Sequence, residues 1–312
     1  MPIQAIPPSS GANENQQGNN PPWTIRRLLE WTTDFFKRHH LPSPRLDAEV
    51  LLAHVLQQDR LALYLYYEET IPPADMKAYR HLIQRRIKHE PVAYIIGKRE
   101  FFSIPLTVEP SVLIPRPETE HVIEYALDYL NDHQAAQGRQ RLTLLEIGVG
   151  SGNICITLAK HLPQARILGA DISGAALCTA RKNICAHAEF CGNISLLQGD
   201  LLHYLHPAKA KFHMIVSNPP YIPDDSWEEL PQEVKGYEPH IALKGGTGGI
   251  QVLETILDIS GHFLYRDGLL ILEIGENQGD ILLEKANEAG IYKKVWLKKD
   301  YAGKPRVLMA KK

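Results

Sequence analysis

The segment Asn218-Pro219-Pro220-Tyr221 carries the residue types that most directly suggest chemistry. It follows a short apolar run that we interpret as a buried strand. Consecutive prolines restrict the backbone and remove N–H donors from it. The side-chain oxygen of Asn218 and the carbonyl oxygen of Pro219 can therefore both accept hydrogen bonds from one planar NH2 group, with Tyr221 packed on its flat face. These four residues predict a site that binds and orients a planar nitrogen.

A second candidate site is the loop Gly148-Val149-Gly150-Ser151-Gly152, which ends another apolar run and opens a helix. Glycines at such a turn let the backbone approach a ligand closely, and the N–H groups of a helix start favour a carboxylate or a phosphate. A dinucleotide site has the spacing Gly-x-Gly-x-x-Gly, whereas position 153 is Asn and the acidic Glu146 precedes the loop. We predict that this loop and Glu146 bind S-adenosylmethionine, whose methionine part is a zwitterion; a dinucleotide is the alternative.

Two aspartates follow the next candidate strands along the chain. Asp171 is predicted to accept hydrogen bonds from the two ribose hydroxyls of the cofactor. Asp200 is predicted to accept one from the adenine amino group, with Leu201 beside it. Because ligands bind at the carboxyl ends of the strands in an open α/β sheet, we expect these side chains to face the glycine loop.

The two sites together predict methyl transfer to nitrogen. The lone pair of an amide or ring amine is delocalised, so this nitrogen is a poor nucleophile, whereas a sulfonium methyl is a strong electrophile that needs in-line attack. Two acceptors that hold the NH2 group aim the nitrogen at the methyl carbon. They also bind the N–H groups more tightly as positive charge develops. This mechanism needs no charged general base and no metal ion.

The elements that must position these residues form an α/β pattern. Short apolar runs predict five buried strands, at residues 142–147, 167–170, 194–197, 212–216 and 269–274. Helical runs between them predict a doubly wound, mostly parallel sheet with helices on both faces. Residues 295–297 and 307–310 are predicted to close this Rossmann-like, seven-stranded sheet as an antiparallel pair.

The chain before this sheet is predicted to form three further regions. Residues 1–22 are rich in Pro, Gly, Asn and Gln and are predicted to be a disordered tail. Residues 23–93 show three helical apolar faces and are predicted to form a small all-α domain. Residues 94–115 alternate apolar and polar side chains around Phe102–Val108 and are predicted to form a β-hairpin linker, with Pro105 at an edge. Residues 116–312 form the predicted methyltransferase domain.

The composition limits the partners and the location of the chain. Its 312 residues carry 34 Lys and Arg against 36 Asp and Glu, which lacks the basic excess of most nucleic-acid-binding proteins. The four cysteines have no zinc-finger spacing and are interpreted as reduced thiols. No segment approaches the roughly 20 apolar residues of a membrane span, and the N-terminus lacks a secretory signal. We expect a cytoplasmic monomer that does not bind nucleic acid or membranes.

The two motifs together resemble the class I methyltransferases that act on planar nitrogens. Further segments resemble one branch, the HemK-type release-factor glutamine methyltransferases, from about residue 23 to the end. These segments are residues 101–103, Leu113–Glu120, 237–239, 242–243, 245–249 and 300–306.

The resemblance implies that the chain methylates N5 of the glutamine in the Gly-Gly-Gln motif of class I peptide chain release factors, leaving S-adenosyl-L-homocysteine. It implies that Gly148 to Gly152 and Asp171 bind the cofactor, and that Asn218 to Tyr221 bind the glutamine. Asn218 is also predicted to contact the cofactor. The helical domain and the hairpin are implied to grip the protein substrate. Many relatives carry an aromatic residue where this chain has Leu201, which puts adenine packing there in doubt.

Three other functions fit parts of the pattern. A DNA adenine-N6 methyltransferase uses the same chemistry but flips a base and needs a basic channel. An rRNA or small-molecule methyltransferase is a second alternative, although the N-terminal helices carry no RNA-binding signature. A scaffold that binds a release factor without catalysis is a third, and the intact glycine loop and Asn218 count against it.

Overall fold

The computed structural model describes residues 22–137 and 141–312, without the side chains of 132–137. The described chain divides into two compact units. The first contains the described residues up to Ile96 together with Gln232–Tyr237, and the second contains Gly97–Pro231 and Glu238–Lys312. The predicted disordered tail at 1–22 lies, apart from its last residue, outside the described residues.

The first unit is helical. Its helices are α1 (Ile25–Arg38), α2 (Pro44–Leu56), α3 (Arg60–Leu65), α4 (Pro73–Arg86) and α5 (Val92–Ile96), joined by the later α10 (Gln232–Tyr237). The three predicted helical faces fall on α1, α2 and α4. The other helices were not predicted, because one or two turns are too short for a 3.6-residue period to be recognised.

A buried cluster of charged side chains joins three helices of the first unit, α2, α4 and α10. Arg86 is only 2% exposed, and its guanidinium lies 2.8 Å from Asp47 and 2.9 Å from Glu233. A basic run such as the one that includes Arg85 and Arg86 is more often a solvated helix face, but Arg86 is buried here. A buried guanidinium needs carboxylates to offset its desolvation, and here they come from α2 and from α10, which is distant in sequence.

The second unit begins with a two-stranded hairpin, β1 (Lys98–Phe101) and β2 (Ile104–Thr107), paired antiparallel. Phe102 and Ser103 form its turn, with φ of 49° and 58°, the left-handed conformation that a two-residue hairpin turn requires. The structure corrects two details of the predicted linker. Residues 94–96 end a helix rather than open a strand, and Phe102 lies in the turn although it fits the alternating pattern.

A seven-stranded sheet forms the rest of the second unit. Its strands are β3 (Thr143–Ile147), β4 (Arg166–Asp171), β5 (Ile194–Gln198), β6 (Phe212–Ser217), β7 (Leu264–Glu273), β8 (Lys294–Lys299) and β9 (Pro305–Lys311). The order is β5-β4-β3-β6-β7-β9-β8, parallel except at β9, which pairs antiparallel with both neighbours. The predicted mostly parallel, seven-stranded sheet is confirmed.

Helices cover this sheet and are α6 (Glu120–Gln137), α7 (Asn153–His161), α8 (Gly174–Ala186), α9 (Ala188–Cys191), α11 (Gln251–Phe263) and α12 (Gly279–Glu288). Apolar side chains fill both faces, in one cluster around Leu144 and Val216 and another around Leu145 and Ile215. Since β3 lies between β4 and β6, the loops after these three strands meet at one edge. Among the described residues, no helix is long and apolar enough to cross a membrane.

Candidate active site

A cavity of about 280 Å³ lies at this carboxyl edge of the sheet, within the second unit. That volume is close to the lower end of the range of roughly 300–1,000 Å³ for small-molecule pockets. Ten predicted site residues line it: Gly148, Val149, Gly150, Ser151, Asp171, Asp200, Leu201, Asn218, Pro219 and Pro220. Glu146, Gly152 and Tyr221 are not in its wall.

The glycine loop turns sharply between β3 and α7. Gly148, Gly150 and Gly152 all have positive φ, at 76°, 54° and 85°, which explains the alternate glycines because L side chains rarely adopt this conformation. The N–H groups of Gly148 and Val149 donate to the carbonyl of Ala170 at 2.8 and 3.1 Å. The loop is therefore fixed to the end of β4.

Asp171 holds the same loop through its side chain. Its two carboxylate oxygens accept from the N–H groups of Gly150 and Ser173, at 2.9 and 2.8 Å. Burial raises the pKa of Asp171, while the two N–H donors oppose this by stabilising the charged form. Each oxygen keeps a second lone pair, so the carboxylate can also accept a hydroxyl from a ligand in the cavity.

The wall beyond β4 and β5 is aliphatic. Ile172 is 48% exposed and lines the cavity together with Leu201, which has a φ of 46°. Asp200 is exposed in the same wall. A flat heterocycle would meet aliphatic side chains here rather than an aromatic ring.

Asn218 is oriented by a relay of hydrogen bonds that leads from the cavity wall, where Thr119 also lies, to a buried carboxylate. Its Nδ2 donates to Oγ1 of Thr119 at 2.9 Å, and that hydroxyl donates to Oε2 of Glu273 at 2.6 Å. Because the Asn218 nitrogen is engaged in this way, its Oδ1 is left to accept from a ligand. Thr119 and Glu273 were not predicted as site residues.

Tyr221 ends in the same relay. Its hydroxyl donates to Oε1 of Glu273 at 3.1 Å. Burial raises the pKa of Tyr221, and the negative charge of Glu273 adds to the effect. The structure thus directs the hydroxyl of Tyr221 away from the cavity, and its predicted contact with the substrate stays a prediction.

A glycine-rich segment, residues 245–249, packs against the backbone of the loop at residues 218–221. A Cβ on Gly245 would lie 2.5 Å from the carbonyl of Gly249 and 2.8 Å from that of Pro220. Nε2 of Gln278 donates to the carbonyl of Tyr221 at 2.8 Å. A glycine-rich segment such as 245–249 could be a flexible turn, but here Gly245 and Gly249 pack so closely against neighbouring backbone that no side chain fits at either position.

Glu146 lies behind the glycine loop. Its Oε2 accepts from the N–H of Cys155 in the first turn of α7, at 2.8 Å, and its Oε1 has no hydrogen-bond partner among the described residues. Burial raises the pKa of Glu146 to about 8. Since Gly152 caps α7 without a side chain, Glu146 replaces the missing side-chain cap.

Arg116 brings a positive charge to the cavity wall. Its guanidinium lies 2.5 Å from Oε1 of Glu238, and Oε2 of Glu238 accepts from the N–H of Ile114 at 3.0 Å. Glu238 is 3% exposed, so the carboxylate of this ion pair is buried and is held in place by the N–H of Ile114.

One sequence signal could have found Glu273. The strands β3 and β7 both end in Leu-Glu-Ile-Gly, at residues 145–148 and 272–275. A carboxylate inside a run of apolar strand residues is costly unless it is hydrogen-bonded, so both glutamates are candidates for anchoring a loop. Thr119 gave no such signal, because threonine is common at the start of a helix. Among the described residues, no group of three or more His, Cys, Asp or Glu side chains could hold a metal ion.

Comparisons with known proteins agree with this architecture. Residues 27–97 match the family described as PrmC N-terminal domain, and residues 144–237 match the family described as Methyltransferase domain. A protein from Rhodopirellula baltica named Release factor glutamine methyltransferase is 40% identical over 297 residues, covering 95% of this chain and 99% of its own. A protein of the same name from Geobacter sulfurreducens is 38% identical and covers 86% and 90%.

Solved structures share the fold at lower identity. The hMettl16 catalytic domain superposes with a TM-score of 0.54 at 15% identity, covering 73% of this chain and 81% of its own. At this identity the likeness shows the fold alone.

The sheet, the glycine loop and the methyltransferase-domain match define a class I methyltransferase. Two relatives with 38–40% identity over most of their length narrow the class further. The chain belongs to the release factor glutamine methyltransferase family.

Proposed function

We propose that this enzyme transfers the methyl group of S-adenosyl-L-methionine to N5 of the glutamine in the Gly-Gly-Gln motif of class I peptide chain release factors, leaving S-adenosyl-L-homocysteine. The names of its relatives support this substrate. The observation that carries the chemistry is the fixed carboxamide of Asn218, whose nitrogen is bound by Thr119. The oxygen left free is an acceptor suited to a substrate amide.

The cavity suits S-adenosylmethionine. Its wall offers the Asp171 carboxylate for ribose hydroxyls, the glycine-loop backbone for the methionine part and aliphatic side chains for the adenine. Asp200, beside Leu201, is assigned to the adenine amino group. The bound cofactor supplies an electrophilic methyl group on a positively charged sulfur. Glu146 supports the loop from behind, at the start of α7.

The substrate amide is held by the loop at residues 218–221, which we call the catalytic loop. Oδ1 of Asn218 and the carbonyl oxygen of Pro219 each accept one hydrogen of the glutamine NH2 group. Among the described residues, neither oxygen has another hydrogen-bond donor, and both residues line the cavity. As the nitrogen forms its bond to carbon its N–H groups become more acidic, so both acceptors bind the transition state more tightly than the ground state. The nitrogen then loses one proton to solvent.

A direct experiment tests the substrate. The enzyme is incubated with methyl-labelled S-adenosylmethionine and a purified class I release factor, and the modified residue is located by peptide mass mapping. We expect one methyl group, on the motif glutamine. A release factor with Gln→Ala at that position is the matched control and should take up no label. Label elsewhere, or none, would refute the proposal.

We also propose that the enzyme acts as a monomer without nucleic acid. The alternative substrates are adenine in DNA, an rRNA base or a small molecule. The net charge of −2 disfavours a DNA or RNA substrate, because such enzymes depend on a basic channel. Transfer of label to duplex DNA or rRNA in the same assay would reverse this choice.

A further inference from the structure

We infer that Glu273 and Thr119 are positioning residues that fix which end of the Asn218 carboxamide faces the substrate. The inference rests on the proposed function, in which Asn218 binds the substrate amide. It adds two residues that act through Asn218 rather than on the reacting atoms, and it assigns them a direction of hydrogen bonding.

Glu273 is the origin of the relay. It ends β7, is fully buried and accepts through both oxygens, from the hydroxyls of Thr119 and Tyr221. An ionised carboxylate only accepts hydrogen bonds. When Glu273 is ionised, both hydroxyls must therefore donate their single proton to it.

The direction of the next bond follows. Once Thr119 donates to Glu273, its oxygen has only lone pairs left for Asn218. Of the two ends of the carboxamide only Nδ2 can donate to it, and Nδ2 lies 2.9 Å from Oγ1 of Thr119. Oδ1 is thereby directed to the opposite side, where a substrate NH2 group needs an acceptor.

The opposite orientation is inactive for a physical reason. If Glu273 were protonated and donated to Thr119, the threonine hydroxyl would be free to donate to Oδ1 of Asn218. The carboxamide would then turn its NH2 group towards the substrate NH2 group, placing donor against donor. A single proton on Glu273 would in this way convert the amide-binding site into one that repels the amide.

The groups around Glu273 set its charge. Burial raises its pKa, and the hydrogen bonds from Thr119 and Tyr221 lower it. Arg306 on β9 also lowers it, and the nearby carboxylate of Glu118 raises it. No ion pair to Glu273 is found within the described ranges, so the buried charge costs stability. A buried carboxylate that lowers stability but orders two residues of the catalytic loop fits a functional role.

The test compares two substitutions at one position. Thr119→Val removes the hydroxyl and keeps the shape, whereas Thr119→Ser keeps the hydroxyl. We expect Thr119→Val to lower kcat by roughly 10- to 100-fold, less than the loss of an acceptor that contacts the substrate directly. Thr119→Ser should retain most of the turnover. The dissociation constant of S-adenosylmethionine should stay within about a factor of two in both, since one such factor is only ~0.4 kcal/mol.

A double-mutant cycle separates positioning from a general structural effect. In an Asn218→Ala background, Thr119→Val should have almost no further effect on kcat, because the group it orients is gone. An equal loss in both backgrounds would overturn the inference. If Thr119→Val does not fold, Thr119→Ala removes the same hydroxyl and completes the cycle.

A second readout does not depend on activity. The side-chain NH2 signals of Asn218, assigned in a ¹⁵N-correlated spectrum by their loss in Asn218→Ala, should shift in Thr119→Val but not in Thr119→Ser. Unshifted signals would overturn the inference even in an active enzyme. Shifted signals together with no transfer to release factors would instead support the relay and refute the proposed substrate.

Discussion

Glu146→Gln tests how a buried carboxylate supports the glycine loop. Glu146 is 1% exposed and accepts from the N–H of Cys155, and its second oxygen has no partner within the described part of the chain. Burial raises its pKa to about 8, from an ordinary value of 4.5. Glutamine keeps an acceptor for Cys155 and cannot ionise, so the substitution removes the titration and preserves the cap.

The direction and size of the change in unfolding free energy with pH follow from the different pKa of Glu146 in the folded and unfolded chain. Between pH 4.5 and about 8 the folded chain keeps the proton on Glu146, while the unfolded chain has released it. The stabilisation from this proton is complete below pH 4.5 and is lost as the pH rises towards 8. The loss is roughly 1.4 kcal/mol per pH unit, so the parent should lose about 3 kcal/mol relative to the Gln variant between pH 5.5 and pH 7.5.

Urea unfolding at these two pH values measures the difference. Asp171 and Glu273, whose pKa values are also raised by burial, are present in both proteins, so their contributions cancel. Glu189→Gln, at a side chain that is 67% exposed, is the control and should unfold like the parent at both pH values. A difference between parent and Glu146→Gln that does not change with pH would refute the buried titration. A large loss of S-adenosylmethionine affinity would instead favour the role as a direct ligand that the sequence predicts.

Three further predictions concern the cavity. Asn218→Ala should lower kcat by ~10²–10³-fold, as for loss of one preorganised polar group, and leave cofactor affinity nearly unchanged; steady-state kinetics and calorimetry check both, and equal turnover would remove Asn218 from the mechanism. Asp171→Ala should chiefly weaken cofactor binding, because it removes both the proposed acceptor for the ribose hydroxyls and the hydrogen bond from Gly150. An unchanged dissociation constant for S-adenosylmethionine would contradict this role. Gly245→Ala should lower both kcat and stability, since its Cβ would lie 2.5 Å from the carbonyl of Gly249; thermal unfolding and turnover equal to the parent would show that the segment can move aside.

The fold was readable from the sequence because its strongest signals are local. Apolar runs of three to six residues predicted all seven strands of the sheet, with ends no more than five residues from the observed ones. What failed depended on long-range partners. The pairing of Arg86 with Glu233 joins residues far apart in the chain, and no local pattern predicts such a contact. The left-handed turn at Phe102 was missed because phenylalanine fits a strand pattern and rarely adopts positive φ.

The residues of the candidate site could be predicted from local sequence signals, but the orientation of their side chains could not. Glycines, prolines and the ends of apolar runs are local signals. They point to Gly148, Asn218 and Asp171, and all three line the cavity. The orientation of a side chain depends on what lies behind it. Tyr221 is predicted to pack on the substrate, and the structure adds that its hydroxyl donates to Glu273, on a strand more than 50 residues away in sequence. Motifs therefore locate the wall of such a site, while hydrogen bonds from beyond the motif decide which atoms face inward.

The glutamates of the two Leu-Glu-Ile-Gly segments each fix a different loop of the cavity from behind its wall. Glu146 accepts from the helix that follows the glycine loop, and Glu273 accepts from the hydroxyls of Thr119 and Tyr221. Neither carboxylate lines the cavity. A carboxylate one layer behind the wall fixes the direction of the dipoles in the wall without itself contacting the ligand. Such preorganised dipoles stabilise developing charge without reorganising during the reaction. On this argument, replacing Glu273 by glutamine should lower kcat far more than the same substitution at Glu146, because only Glu273 orients an atom that meets the reacting nitrogen.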